Sequence, residues 1–379
     1  SVATAGVTSA GHNAMELISK VTGVKYKHVT YDGGNPAVVA RYYSERPSLY
    51  LVSRCYRRYQ GGTWELGEEG PKDLVDGKAI EQQYRYDLQS DQGANPAAEK
   101  IEVTEPSPGL MFPRDAAYCL TTEPSLRRTF GSCWVYGRGT SENPFEFVRT
   151  THEPTEFGSE TREQLLEIDP ELKYQLRQIA SQWVPAEQSK EATPEQLAHR
   201  WENYLQNRYD YGFDFKPEDQ IDPVITFLRK KPASHCELFG TAMVLMCRAH
   251  NIPARYVNGF LAKEYNESGG YTVIRVKHAH AWVEAYFEGK GWVTLDGTPS
   301  IARQFPNDVA TRFQHFTDLI HTFLAKLGSQ DWQLAWKLGQ RLLRPFFLPL
   351  FGLWVLYQIL VRRRRKKGPA KLKATRGQA

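Results

Sequence analysis

The segment from 234 to 296 changes period partway along, and that change limits what the chain can fold into. Phe239, Ala242, Met243, Met246 and Ala249 recur at intervals of three and four, the spacing of one helix face. The run ends at Asn251-Ile252-Pro253, because proline cannot continue a helix. Two strand-like stretches follow, 254–261 and 270–277. Next comes His278-Ala279-His280-Ala281-Trp282-Val283-Glu284, whose period of two puts His278, His280, Trp282 and Glu284 on one face of a strand. Gly289-Lys290-Gly291 reads as a turn and 291–296 as the returning strand of a hairpin. A helix followed by hairpin-linked strands predicts an α+β core, with the helix packed on an antiparallel sheet.

The same pattern places reactive groups. Cys236 falls in the first helical turn, where unpaired N–H groups and a partial positive charge favour a thiolate. A lone cysteine there would otherwise read as an inert core thiol. Hairpin pairing, however, brings Asp296 within reach of a histidine on the preceding strand. Thiol, imidazole and carboxylate can then act together: the imidazole takes or shares the thiol proton and the carboxylate holds its tautomer. His278 and His280, about 6.5 to 7 Å apart on one face, also raise a zinc-like set with Cys236 or Asp296, against which stands the lack of a further ligand cluster. On the thiol reading His278 flanks the site or lies exposed, and Trp282 and Trp292 are core or site-wall residues. Glu284 is a solvated or hydrogen-bonded strand residue.

HCELFGTAMVLMCRAHNIPARYVNGF, HAHAWVEAYF and GWVTLDGTPS, in that order within about ninety residues, resemble the cysteine, histidine and aspartate motifs of the transglutaminase-like superfamily. The resemblance implies a papain-like core over about 209–300, with Cys236 as nucleophile, His280 as base and Asp296 as its orienter. It implies acyl transfer at a glutamine carboxamide or peptide amide of a protein or peptide substrate. Cysteine protease or amidase chemistry is the near alternative, and a non-catalytic binding or scaffolding module is the alternative of a different class. No metal or other cofactor is implied. Among the acidic residues Asp210, Asp214, Glu218, Asp219 and Asp222 a calcium site competes with a solvated cleft rim, and the spacing is not that of an EF-hand. His235, where the family also carries small or aromatic residues, stands next to the thiol as a perturbing group.

The wider chain resembles the bacterial membrane-anchored transglutaminase-like proteins of the TgpA type. YLVSRCYRRYQGGTWEL looks like the entry to their β-rich extracytoplasmic region, and 313–336 like the helical stretch before a last span. At 41% hydrophobic and 24% charged residues in a length of 379, the composition excludes a disordered chain and suggests two domains. The expected order is a β-rich domain over 1–155, a catalytic domain over 156–305, a helical linker over 306–341, a membrane helix over 342–361 and a basic cytoplasmic tail over 362–379. Within the first, 37–66 reads as a hairpin about Gly61-Gly62, and 82–88, 100–103 and 134–137 as strands. Helices are expected over 162–180, over 194–208 capped by Thr193, and from Pro223.

LLRPFFLPLFGLWVLYQILV has about the twenty residues needed to cross a bilayer. The Arg and Lys run after it places its end in the cytoplasm and the body on the opposite side. The chain opens at Ser1 without a signal peptide, so upstream membrane segments are expected in a longer product. Nine Lys or Arg and no acidic residue follow 361, which leaves 1–361 at −4 out of a net +5. Basicity confined to a tail argues against nucleic-acid binding by the body. An extracytoplasmic body permits disulfides, and Cys119 with Cys133 is the first pair to test, the pairing itself being left open by the sequence. Cys247 lies about 16 Å along the helix from Cys236, too far to bridge, and Cys55 has no assigned partner.

Overall fold

The computed structural model describes residues 38–300 except 46, 66–73, 89–93, 104–109, 131–132, 137–143, 151–159, 185–190, 214 and 268, together with 320 and 336. The expected span 342–361, the tail 362–379, residues 1–37 and nearly all of the linker 306–341 lie outside the described residues; Ile320 and Trp336 of the linker are helical. Among the described residues no helix is long and apolar enough to cross a membrane. The fold below belongs to the compact unit ending at Phe305. Residues 266–270 and 306–379 cluster separately from it.

The strands of the N-terminal half are β1 (Val38–Tyr43), β2 (Tyr50–Tyr56), β3 (Arg58–Gln60), β4 (Thr63–Glu65), β5 (Leu74–Asp76), β6 (Lys78–Ile80), β7 (Gln83–Asp87), β8 (Ala94–Val103), β9 (Ala116–Thr121), β10 (Ser125–Thr129), β11 (Cys133–Tyr136) and β12 (Phe145–Thr150). A hairpin does form about Gly61-Gly62, whose φ angles of +55° and +88° suit glycine, but it joins only β3 to β4. The rest of 37–66 pairs at long range instead. β1 lies between β8 and β15 (Tyr271–Arg275), and β2 lies against β13 (Ala254–Leu261). These two strands therefore cross the boundary expected near residue 155.

Helices with described bounds are α1 (Arg162–Leu165), α2 (Pro170–Trp183), α3 (Pro194–Arg208), α4 (Pro223–Lys230) and α5 (Cys236–Ala249). The single helix expected over 162–180 is broken. Asp169 accepts from the N–H groups of Glu171 and Leu172, and Pro170 sits at the start of α2, so Asp-Pro begins a second helix. Thr193 and Gln196 form a capping box on α3, and Asp222 caps α4, which ends at a left-handed Lys231. α5 is buried along its whole length after its first turn. Phe239, Met243, Val244, Leu245 and Met246 are each fully enclosed, at about 1.5 to 3 kcal/mol per large side chain relative to exposure.

Among the described residues the sheets are antiparallel. One has the order β14-β15-β1-β8-β12-β9-β7-β6, with β14 spanning Glu264–Asn266. Another has the order β17-β16-β13-β2, where β16 is Ala279–Phe287 and β17 is Gly291–Leu295. α5 packs on β16 and β13, which carries the helix start toward the β16–β17 hairpin. Gly259 in β13 governs how closely β2 approaches. A Cβ there would meet the Leu51 carbonyl oxygen at 1.9 Å and Trp282 Cη2 at 2.7 Å, and the β2–β13 register shifts at this point.

Cys119 is a free, buried thiol on β9, whereas Cys133 belongs to β11 in the separate β11-β10-β5 sheet, so the candidate disulfide is not formed. Cys55 and Cys247 are also free and buried, and burial pushes the Cys247 thiol up to about 12.

Gly259→Ala is expected to force β2 off β13 and to cost about 1 to 3 kcal/mol, the range for overpacking a filled interior. Urea unfolding would read this as a lower midpoint with an unchanged slope.

Candidate active site

α5 starts at Cys236, and a short parallel pairing fixes the backbone before it. The Gly212 N–H donates to the Ser234 carbonyl at 3.0 Å and the Ser234 N–H to the Asp210 carbonyl at 3.1 Å. The loop of aromatic and acidic residues thus braces the chain entering the helix. His235 occupies the N-cap position but makes no capping bond. Its Nε2 lies 3.0 Å from Glu237 Oε2, and its ring stacks on Phe213 with centroids 6.0 Å apart. The first N–H groups of the helix are consequently left without a side-chain cap beside the partly exposed thiol. Burial opposes a charge on His235, but the Glu237 hydrogen bond and charge and the neighbouring Cys236 raise its proton affinity.

His280 projects from β16 and Asp296 follows the last residue of β17. Leu295 lies opposite Val283, so Asp296 extends the hairpin register toward the Trp282–His280 end. His280 Nε2 is 2.8 Å from Asp296 Oδ2, and both side chains are buried. Cys236 is close enough for its charge and hydrogen-bonding capacity to act on the same imidazole. Burial alone would discharge this imidazole. The charge and hydrogen bond of Asp296, with the hydrogen bond and charge of Cys236, overcome it and push His280 up to about 10. His280 and Asp296 therefore meet, with Cys236 of the α5 start acting on the same imidazole.

Asp296 is held from several sides. The Thr298 N–H donates to Oδ1 at 3.0 Å and the Tyr50 hydroxyl to Oδ2 at 3.0 Å. From α3, Gln206 Nε2 donates to the Asp296 carbonyl at 2.6 Å and Glu202 Oε1 accepts its N–H at 2.7 Å. Tyr50, Glu202 and Gln206 have no local signature in the sequence. Tyr50 lies 246 positions from its partner, and the alternation of 37–66 announced strands without naming this neighbour. Trp282 is fully enclosed, with centroids 5.0 Å from Tyr50 and 6.3 Å from His280, so it is a packing residue that backs the imidazole.

His278 differs from expectation. It does not share the strand face with His280 but ends a 3-10 turn, Val276–His278, and it is fully buried rather than exposed. Its Nδ1 accepts the Arg275 N–H at 3.2 Å and its Nε2 is 3.2 Å from Glu264 Oε2, so the His-x-His pair is not assembled. Glu284 is buried and ion-paired with Arg114 and Arg255, as a hydrogen-bonded strand residue. Trp292 lies under the Arg255 guanidinium, 3.6 Å from its ring centroid.

Among the described residues no cluster of three or more His, Cys, Asp or Glu could hold a metal ion. Of the acidic loop, Asp214 lies outside the described residues, Asp222 caps α4 and accepts from the Tyr59 hydroxyl at 2.7 Å, and Glu218 pairs with Lys230. A cavity of about 560 Å³ lined by Arg58, Tyr59, Asp222 and Arg229 contains none of the three converging side chains.

The family model described as the transglutaminase-like superfamily matches residues 182–297, which include Cys236, His280 and Asp296. Residues 182–297 form a transglutaminase-like domain. Its relatives include YebA, an uncharacterized protein of Bacillus subtilis, 40% identical over 87 residues, and a protein-glutamine gamma-glutamyltransferase of Pseudomonas aeruginosa, 34% identical over 97 residues. The matched stretches are 22% and 25% of this chain and only 12% and 14% of those two proteins. The fold as a whole resembles the periplasmic domain of TgpA from Pseudomonas aeruginosa, with a TM-score of 0.53 at 20% identity, over 72% of this chain and 95% of that one. The likeness in fold thus reaches well beyond the transglutaminase-like domain into the β-rich sheets.

Because the Asp296 carboxylate holds the proton on His280, Asp296→Asn is expected to lower the pH at which this ring titrates from about 10 in the unsubstituted protein. ¹⁵N-histidine NMR would follow it, and a titration left in place would separate His280 from Asp296.

Proposed function

We propose that the chain is an extracytoplasmic, membrane-anchored thiol enzyme that transfers the acyl group of a glutamine carboxamide or peptide amide. The observation that carries this reading is the buried His280–Asp296 contact of 2.8 Å, set beside Cys236 at an uncapped helix start. Cys236 is the nucleophile, His280 the acid and base, and Asp296 the group that holds the imidazole.

With the proton of the pair already held on His280, the Cys236 sulfur forms a bond to the amide carbonyl carbon as the carbonyl π electrons move onto oxygen. The oxygen gains charge in front of the first N–H groups of α5, where the helix dipole favours an anion. His280 then donates its proton to the leaving nitrogen, the C–N bond breaks, and ammonia or an amine departs from a thioester. An incoming amine or water passes a proton to His280 as it attacks the thioester. The thiolate leaves and recovers the system, giving a crosslink with an amine, or deamidation or cleavage with water.

The glutamine reading is supported by the named activity of the Pseudomonas relative. The extracytoplasmic placement is supported by the periplasmic origin of the TgpA domain with which the fold agrees, and the anchor by the apolar run 342–361 with its basic flank. A mildly acidic body and a +9 tail suit the two sides of a bilayer whose inner leaflet is anionic.

The test is ammonia release from a glutamine dipeptide with and without a primary amine. Cys236→Ala is expected to lose at least about 10³-fold, on the scale seen when a catalytic nucleophile is removed. Full activity in that variant would sink the mechanism. Iodoacetamide at pH 6 should alkylate Cys236 in preference to the buried Cys55, Cys119 and Cys247. Uniformly slow labelling of all of them would favour a non-catalytic module.

A further inference from the structure

The oxygen of Asp296 that faces His280 is shared. Oδ2 meets His280 Nε2 at 2.8 Å and accepts the Tyr50 hydroxyl at 3.0 Å, while Oδ1 is held independently by the Thr298 N–H. Tyr50 opens β2, outside the 182–297 stretch that carries the transglutaminase-like domain. It reaches the site because Gly259 lets β2 lie against β13, whose other side pairs with β16 at His280. Its ring is seated on Trp282 at 5.0 Å and near His280 at 6.4 Å. The hydroxyl direction is thus set by packing rather than by a mobile surface rotamer.

We propose that Tyr50 is a positioning residue of the Cys236–His280–Asp296 system, whose hydroxyl takes up part of the negative charge on the carboxylate oxygen facing the imidazole. The proposal rests on the acyl-transfer reading for its catalytic consequence but not for its electrostatics. A carboxylate oxygen with one acceptor direction given to a hydroxyl presents less charge to the second donor. The imidazolium then holds its proton less tightly and is a better acid toward the leaving nitrogen. The other groups facing this pair are Cys236 from α5, Glu202 from α3, whose carboxylate accepts the Asp296 N–H and is itself paired with His199, and the His235–Glu237 pair beside the thiol. Tyr50 is the side chain from the N-terminal strands in this set. On this account β2 is part of the active centre, not only a neighbour of it.

Tyr50→Phe keeps the ring on Trp282 and removes only the hydroxyl, so it tests charge sharing apart from packing. In the full chain the His280 ring is expected to titrate at higher pH, by about one unit, the size of losing a hydrogen bond to a charged group. This is opposite in sign to Asp296→Asn. Turnover of the glutamine dipeptide should fall by about tenfold, on the scale of a weakened general acid. A p-nitrophenyl ester, whose leaving group needs no proton, should be turned over at close to the unsubstituted rate. Tyr50→Leu, which removes ring and hydroxyl, should show the same upward titration.

An unchanged or lowered His280 titration in Tyr50→Phe would overturn the proposal. So would equal losses on amide and ester, which would mark a structural role. The titration needs no substrate. An unsubstituted protein inactive on amide and ester would therefore remove the acyl-transfer reading while leaving the Tyr50 assignment open to its own result.

Discussion

A carboxylate taken out of water must have its lone pairs answered, and Asp296 is where this chain meets that requirement. Its side chain and backbone together take partners from β2, α3, β16 and the Thr298 backbone. Removing one partner of a buried charge costs far more than an exposed contact yields. The position of Asp296 therefore constrains how the sheet, the α3 helix and the first strands are arranged. The same requirement aligns His280, whose Nε2 meets the Asp296 oxygen that also accepts the Tyr50 hydroxyl.

Farther along β16 the same logic serves structure instead of chemistry. Glu284 shares the strand face of His280 and Trp282, and it is enclosed with Arg255 and Arg114, while Arg255 also reaches Glu160. Burial works against the charged carboxylate, but the two guanidiniums hold its proton affinity below the ordinary value. Buried pairs of this sort add little net stability over apolar packing, yet they penalise any strand slip that would separate them. A one-residue slip of β16 would carry Glu284 away from Arg255 and turn His280 away from Asp296 together. The ion-paired end of the strand thus guards the register on which the reactive end depends. Arg248 does similar work at the far end of α5, donating to the carbonyls of Ala254, Arg57 and Glu167.

What could be read in advance was local. The α5 periodicity, its stop at Pro253, the Thr193 and Gln196 box and the Gly289–Gly291 turn each depend on residues within one or two turns of chain. They duly appear where the pattern put them. The errors also have physical causes. Asp169-Pro170 was hidden inside an otherwise helical pattern, where Pro at a first position starts a helix as readily as it breaks one. His278 fitted the strand alternation, but the backbone turns through a 3-10 turn before β16 and sends the ring to Glu264. β9 and β12 were missed because their neighbours are strands from elsewhere in the sequence, and Ala116–Thr121 shows little alternation of its own.

The sequence by itself determined the helix that opens at Cys236, the strand that bears His280 and the hairpin that returns to Asp296. Those are short-range consequences of periodicity and turn chemistry. Only the tertiary structure decided that β2 would join this sheet, that Gly259 would admit it, and that the Tyr50 hydroxyl would complete the carboxylate's bonds. Strand pairing across two hundred residues is chosen by shape, by burial and by the satisfaction of polar groups in the assembled interior. None of these is written in a local pattern.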